Sequence, residues 1–245
     1  MAHSLAIHDL DAGYGAVKAL RGVTLNVEAG ETVALLGTNG NGKSTLMKCV
    51  AGLVRPQRGG ISLTIDGTAH DLAKLSPEAI VDLGVALVPE GRRLFPKLTV
   101  LENLMLGAFR RAARRDIKLN LALAFETFPT LKERQNQLAG TMSGGQQQML
   151  ALAITLLHDP DVLLIDELSL GLSPIVVQEL LGVVDRLKRD GMTIVIVEQS
   201  LNVALSISDR AIFLEKGRVR FEGPADELAA RDDLARAVFL GTEGG

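Results

Sequence analysis

Tryptophan is absent from this sequence of 245 residues, tyrosine and cysteine occur once each, and histidine four times. A single cysteine, Cys49, cannot close an internal disulfide, which suits a reducing compartment and leaves the thiol a packing role. No apolar run approaches the ~20 residues of a membrane-spanning helix. The longest candidate, Met149 to Leu157, is nine residues and contains Thr155. The start, Met1-Ala2-His3-Ser4-Leu5, lacks a basic stretch followed by an apolar one, so a cytoplasmic location is expected rather than secretion. An excess of one charge is also missing. With 26 basic against 29 acidic residues and a net charge of -3, there is no electrostatic case for nucleic acid as the main partner. There are no repeats and no low-complexity tracts.

What is present is a 47% hydrophobic content, enough for a sizeable core, and one stretch that organises the rest. Gly37-Thr38-Asn39-Gly40-Asn41-Gly42-Lys43-Ser44-Thr45 follows an apolar run, Thr32 to Leu36, and precedes a helix-compatible segment, Leu46 to Val50. This is the pattern of a phosphate-binding loop. Glycines 37, 40 and 42 let backbone amides turn inward around phosphate oxygens, and the helix that follows offers its positive end to the same anion. Lys43 is expected to reach the β- and γ-phosphates, and the Ser44 hydroxyl to bind magnesium. Cys49 falls on the helix behind this loop.

Ahead of the loop, Leu5 to Leu10 and Val23 to Val27 read as antiparallel strands around a turn at Gly13-Tyr14-Gly15. Tyr14 has two readings here, a ring stacked on adenine or a hydrophobic plug in the turn. After the loop come a turn at Arg55 to Gly60, a strand from Ile61 to Asp66, and a short helix opened by Ser76-Pro77. Gly84 to Pro89 reads as a buried strand ending in Glu90-Gly91-Arg92-Arg93, where open α/β sheets bind ligands. From about Leu98 to Leu138 helical patterns dominate, as in an inserted helical subdomain. Arg110, Arg111, Arg114 and Arg115 fall on one helical face there, either solvated or facing lipid head groups or an acidic partner.

Ser143-Gly144-Gly145-Gln146 opens a second helix, read from Gln147 to Leu157, and is a second anion-binding candidate. Two such ends and one nucleotide suggest that the second end serves another chain's nucleotide. Asp161 to Asp166 is the near-continuous apolar run of a central parallel strand, ending in Asp166-Glu167. Asp166 is expected to hold hydrated magnesium, and Glu167 to orient or deprotonate the attacking water. Ser173-Pro174 opens a covering helix with Val176, Leu180, Val183, Val184 and Leu187 on one face. A buried strand from Met192 to Val197 follows, ending at Glu198-Gln199. Strands near Asp209 to Leu214 and Arg218 to Phe221, with short helices near 225 and 235, close the chain.

Taken together these residues resemble the ATP-binding subunits of ABC transporters. The Walker A loop at Gly37 to Thr45, the signature at Ser143 to Gln146, the Walker B strand ending at Asp166, and Glu167 fall in that family's order. The resemblance implies an α/β P-loop NTPase with an antiparallel β subdomain and an inserted helical subdomain. Residues 1–90 and 158–245 would form the nucleotide-binding core, and about 91–157 the helical part. It implies ATP and Mg2+ as ligands, and a sandwich dimer in which each ATP lies between one subunit's Walker A loop and the other's signature. It also implies a permease held near the Glu90 loop and a location on the inner face of the membrane. Tyr14 falls at the family's adenine-stacking position. Val88 to Pro96, Leu98 to Leu104, Ser169 to Pro174 and Val197-Glu198-Gln199 look like the LivF-type ATPases of branched-chain amino acid importers. Those pair with a second ATPase, two permeases and a solute-binding protein; related branches carry urea, amides or aromatic acids.

Departures from the general family pattern accompany the likeness. Glu90 stands where a glutamine is usual and still offers magnesium an oxygen. Gln199 stands at the switch histidine and can donate to the γ-phosphate without titrating. Leu172 replaces an aspartate, and Met142 a leucine. Leu168 replaces the proline after the catalytic glutamate, which implies a freer chain there. Thr38 and Asn41 are expected to contribute mainly backbone. An alternative role is a regulatory nucleotide-binding half with little turnover of its own, favoured by Glu90, Leu168 and Gln199 and opposed by Glu167. A soluble ABC-type ATPase acting on DNA or ribosomes would need coiled coils or a second ATP domain.

Overall fold

The apolar runs of the sequence sort into two sheets with one helix between them. The computed structural model describes residues 3–108 and 116–230. The four arginines from 110 to 115 and the helix expected near 235 lie outside the described residues. The first sheet is antiparallel, in the order β2 (Val17–Val27), β1 (His3–Tyr14), β4 (Arg58–Ile65), β5 (Thr68–Asp71). β1 is longer than its sequence suggests because a bulge at Asp9, φ 49°, shifts the register between Ile7 and Leu10. Leu5 and Ile7 before the bulge and Leu10 and Ala12 after it are all buried. One inserted residue resets the two-residue alternation, so both halves keep their apolar side inward.

The second sheet runs β10 (Arg218–Pro224), β9 (Arg210–Glu215), β3 (Thr32–Leu36), β8 (Thr193–Glu198), β7 (Val162–Asp166), β6 (Val85–Val88). From β9 to β6 the pairings are parallel, and β10 closes one edge antiparallel. Every residue of β3, β7 and β8 is buried, as an unbroken apolar run predicts for strands covered on both faces.

Among the described residues the helices are α1 (Lys43–Val50), α2 (Pro77–Asp82), α3 (Val100–Gly107), α4 (Ile117–Thr127), α5 (Pro129–Glu133), α6 (Gly144–Leu156), α7 (Pro174–Arg189), α8 (Leu201–Ile207) and α9 (Ala225–Ala230). Alternate residues of the parallel strands divide the core. Val33, Leu35, Leu164 and Val195 face the antiparallel sheet, with Leu46, Met47, Cys49 and Val50 of α1 packed between. Ala34, Leu36, Leu163, Ile165 and Ile194 face the other way, onto α3, α6 and α7. Each fully buried aliphatic side chain contributes about 1.5–3 kcal/mol, so α1 is fixed from both sides. Burial pushes the Cys49 thiol up to about 12, in keeping with the packing role expected of it.

Three local expectations change. α6 starts at Gly144 rather than Gln147, because the Ser143 hydroxyl accepts from the Gln146 amide while the Gln146 side chain accepts from the Ser143 amide. That reciprocal pair ends the loop three residues early. The strand β5 and the helix α8, capped by Ser200, were not expected; Thr68-Ala69-His70-Asp71 has no alternation to betray it. On α7, Leu181 joins the buried set, whereas Val176 and Leu187 are only half-buried.

Candidate functional site

The parallel register places the chemistry. Leu36 lies opposite Glu198 and Asp166 opposite Val197, so the chain leaves β3, β7 and β8 at one edge of the sheet. β6 ends beside them at Val88 and leads into Glu90. A cleft of about 460 Å3 opens there, lined by Asn39, Gly40, Gly42, Lys43, Ser44, Thr45, Glu90, Glu167 and Gln199 among others. A larger cavity, about 580 Å3, opens at the amino ends of β7 and β8 around His3, Asp161 and Arg186, away from all of these residues.

The glycine-rich loop needs its glycines for two reasons. Gly42 has φ 97°, and a Cβ there would lie 2.7 Å from the Ala19 carbonyl oxygen; at Gly37, φ 146°, it would lie 2.3 Å from the Leu214 oxygen. Gly42 also leaves α1 without a side-chain cap, so the first amides of that helix remain open to an anion. Lys43 is 4% exposed, and its ammonium donates to the Gly37 oxygen at 2.6 Å and the Thr38 oxygen at 3.0 Å. Burial pushes its pKa down, while Glu167, Asp166 and Glu90 oppose the shift. Asn41 and Thr38 do more than lend backbone, contrary to the sequence expectation. The Asn41 amide donates to Thr38 Oγ1 at 2.8 Å, and its Oδ1 accepts from the Lys216 amide at 2.8 Å. The loop is thereby tied to the β9–β10 turn.

Two of the three residues expected to hold magnesium meet across the sheet: Ser44 Oγ donates to Asp166 Oδ1 at 3.1 Å. Asp166 is 3% exposed, and burial raises its pKa against the bond from Ser44; Glu167 and Glu90 raise it further. A buried carboxylate with raised pKa beside a hydroxyl gains from a divalent cation, so these donors fit magnesium. Glu167 has φ 58°, a left-handed conformation that costs a non-glycine residue about 1–3 kcal/mol. Its amide donates to the Val197 oxygen at 3.0 Å, and its Oε1 accepts from Gln199 Nε2 at 2.6 Å. Gln199, expected at a γ-phosphate, thus engages the neighbouring carboxylate. Leu168 is fully buried in the core next to α6 and α7. The expectation of a freer chain there is overturned, since its side chain anchors the segment where proline is usual.

The remaining sequence candidates lie elsewhere. Tyr14 ends β1 at the tip of the hairpin, 52% exposed, and does not line the cleft. Ser143, Gly144, Gly145 and Gln146 do not line it either. Gly145 lets α6 approach α7: a Cβ there would lie 2.7 Å from Val176. Arg92 packs its guanidinium over Gly144 and donates to Gln147 Oε1 at 3.2 Å, joining the Glu90 loop to the signature helix.

Sequence reasoning missed two supporting residues. Asn103, buried on α3, donates to the Phe95, Leu98 and Thr99 oxygens and accepts from the Phe95 amide, pinning the segment after Glu90. Glu198, 1% exposed, accepts from the Ser169 amide and hydroxyl. A polar residue inside a helix or strand run was the only signal available for Asn103 and Glu198.

Known proteins share this arrangement. The sequence matches the ABC transporter family over residues 20–169. It is 44% identical, over 97% of this chain and 99% of the relative, to the high-affinity branched-chain amino acid transport ATP-binding protein BraG of Pseudomonas aeruginosa. It is 37% identical, over 93% and 94%, to a probable branched-chain amino acid transport ATP-binding protein LivF of Archaeoglobus fulgidus. Among solved structures, a dimeric ATP-binding cassette in a post-hydrolysis state bound to ADP and Pi superposes with a TM-score of 0.76 at 27% identity, covering 90% of this chain and 98% of the other. A loop, an acidic strand end and a signature helix in this order, on this sheet, and matched along almost the whole length, place the chain in the ABC transporter family.

Proposed function

We propose that this chain binds ATP in the cleft at the carboxyl edge of the parallel sheet and hydrolyses it as an ATPase subunit of an importer for branched-chain or related amino acids. The observation that carries the reading is the convergence of Lys43, Ser44, Glu90, Glu167 and Gln199 on one cleft, with Asp166 bonded to Ser44 at its floor. The amino acid assignment rests on the BraG and LivF relatives.

In this mechanism Lys43 releases the Gly37 and Thr38 oxygens and turns its ammonium to the β- and γ-phosphates, while the open amides of α1 surround the same oxygens. Ser44, Asp166 and Glu90 would hold a magnesium ion, which supplies positive charge against the phosphates when bound. Glu167 accepts a proton from the attacking water. Gln199 donates from its neutral amide to Glu167 and, when nucleotide is bound, to the γ-phosphate oxygen. Tyr14 stacks on the adenine from the hairpin tip. Ser143 to Gln146 meet the nucleotide of a second ATPase subunit, since they stand apart from this chain's own cleft. In this reading residues 1–90 with 158–245 form the nucleotide-binding core with its β subdomain, and about 91–157 the helical subdomain; the described residues that support it are the two sheets and α3 to α6. A groove of about 410 Å3 lined by Lys48, Leu53, Glu90, Arg92, Arg93 and Ile154 takes a permease on the inner face of the membrane, with a solute-binding protein on the far side. Among the described residues no helix is long and apolar enough to cross a membrane.

The Gln199–Glu167 bond favours one alternative, a regulatory half whose own carboxylate is held back from water. The test is to purify the tagged chain from its native membranes in mild detergent, identify what comes with it, and measure magnesium-dependent turnover with and without Glu167→Gln. Permeases and a second ATPase together with turnover lowered by Glu167→Gln are the expected result. Turnover indifferent to Glu167 means the regulatory reading; soluble partners only would overturn transport.

A further inference from the structure

Glu198 is the one acid of this edge that the mechanism leaves unused. It ends β8, is 1% exposed, and among the described residues has no cationic side chain within ion-pair distance. A carboxylate buried without a counter-ion is unfavourable unless hydrogen bonds satisfy it. Ser169 reaches both of its oxygens, Oε1 accepting the Ser169 amide at 3.0 Å and Oε2 the Ser169 hydroxyl at 2.7 Å, and the Gln199 backbone amide supports the same carboxylate. Ser169 lies two residues after Glu167, and Gln199, the next residue after Glu198, donates to Glu167. The ends of β7 and β8 are therefore stitched twice, by Glu198 to Ser169 and by Gln199 to Glu167, with the buried Leu168 between the stitches. Glu167 sits at the start of this clamped tripeptide in its left-handed conformation.

We infer that Glu198 is a positioning residue: by holding Ser169 it fixes the loop that carries Glu167 in register with the end of β8, so that the carboxylate stands where the attacking water must be met. The inference rests on the ATPase reading above for its consequence in turnover, but its structural content does not. With Ser169 released, the segment loses one of its two side-chain stitches to β8, and Glu167 relaxes toward ordinary backbone angles away from the water it must face. A displacement of about 1 Å at such a group lowers turnover on the order of a hundredfold.

Two measurements test it. In the assembled complex, Glu198→Ala is expected to lower kcat about ten- to a hundredfold while leaving KM for ATP within about twofold, because the phosphate loop is untouched. Glu198→Gln should restore most of kcat, since its carbonyl still accepts the Ser169 amide and its NH2 can donate to the Ser169 hydroxyl. Ser169→Ala combined with Glu198→Ala should be no slower than Glu198→Ala alone. Additive losses, or a rise in KM with kcat unchanged, overturn the inference. In the full-length chain without nucleotide, Glu198→Ala should speed amide exchange across residues 167–172 and leave 37–45 unchanged. Unchanged exchange overturns the inference even if turnover is abolished. Turnover indifferent to Glu167→Gln with exchange speeded by Glu198→Ala would instead remove the ATPase reading and leave the stitch standing; should Glu198→Ala fail to fold, Ser169→Ala carries both measurements.

Discussion

Leu168→Ala separates a loop that is merely placed near the cleft from one that the core holds in place. The Leu168 side chain is fully buried beside α6 and α7, and the change removes three carbons from it. At about 0.8 kcal/mol for each carbon, with a further contribution from the cavity left behind, the expected loss is about 3–4 kcal/mol. In a chain of this size that lowers the melting temperature by roughly 6–16 °C. Leu168→Met keeps the volume and should lose less than about 1.5 kcal/mol. Calorimetry of the purified subunit reads the stability, and magnesium-dependent turnover of the assembled complex at 25 °C reads the site. Turnover of Leu168→Ala should fall further than its folded fraction accounts for, because Glu167 keeps φ 58° only while its neighbours hold it. An unshifted melting temperature would refute the anchoring role. A large shift with normal turnover would refute the link from that anchor to Glu167.

Gly42→Ala puts a Cβ 2.7 Å from the Ala19 oxygen at φ 97°; a loss of about 2–5 kcal/mol and of measurable ATP binding by titration calorimetry is expected. The nucleotide-free chain should become more stable as pH falls from neutral, because burial raises Asp166 and Glu198 above their ordinary values and the folded state then binds more protons than the unfolded one. Below the ordinary carboxylate range the trend should reverse as Asp11, held low by Lys18, and Glu102, held low by the Thr99 amide, are protonated. Thermal melts across pH, with Glu198→Gln flattening the rise, check this; stability falling steadily from neutral pH contradicts it. The buried Cys49 thiol, pushed up to about 12, should resist maleimide in the folded chain and react only on denaturation, as mass spectrometry would show.

Much of this arrangement was legible because it depends on local chemistry. The loop from Gly37 to Thr45 states its backbone needs in its own glycines, and the apolar runs of β3, β7 and β8 announce strands buried on both faces. The convergence of Lys43, Asp166 and Glu167 follows from parallel pairing, which carries strand ends to one edge whatever the order of the strands. The illegible features depend on partners far along the chain. Asn41 bonds the Lys216 amide, and Glu198 bonds Ser169, contacts that no short window of sequence contains. Leu168 misled for the same reason. A missing proline reads locally as looseness, while the packing that replaces its rigidity comes from helices on either side in sequence. Likewise the bulge at Asp9 hides inside the run from Leu5 to Leu10, which reads as one plain strand.

The posture of Lys43 bears on how a phosphate enters the loop. Its ammonium already has two oxygens, from Gly37 and Thr38, at 2.6 and 3.0 Å. An arriving phosphate therefore exchanges one set of oxygens for another rather than rescuing a stranded cation. The loop's own bonds hold its shape, as a lock holds its wards apart from any key. The same two oxygens stand ready to take the ammonium back when a phosphate leaves.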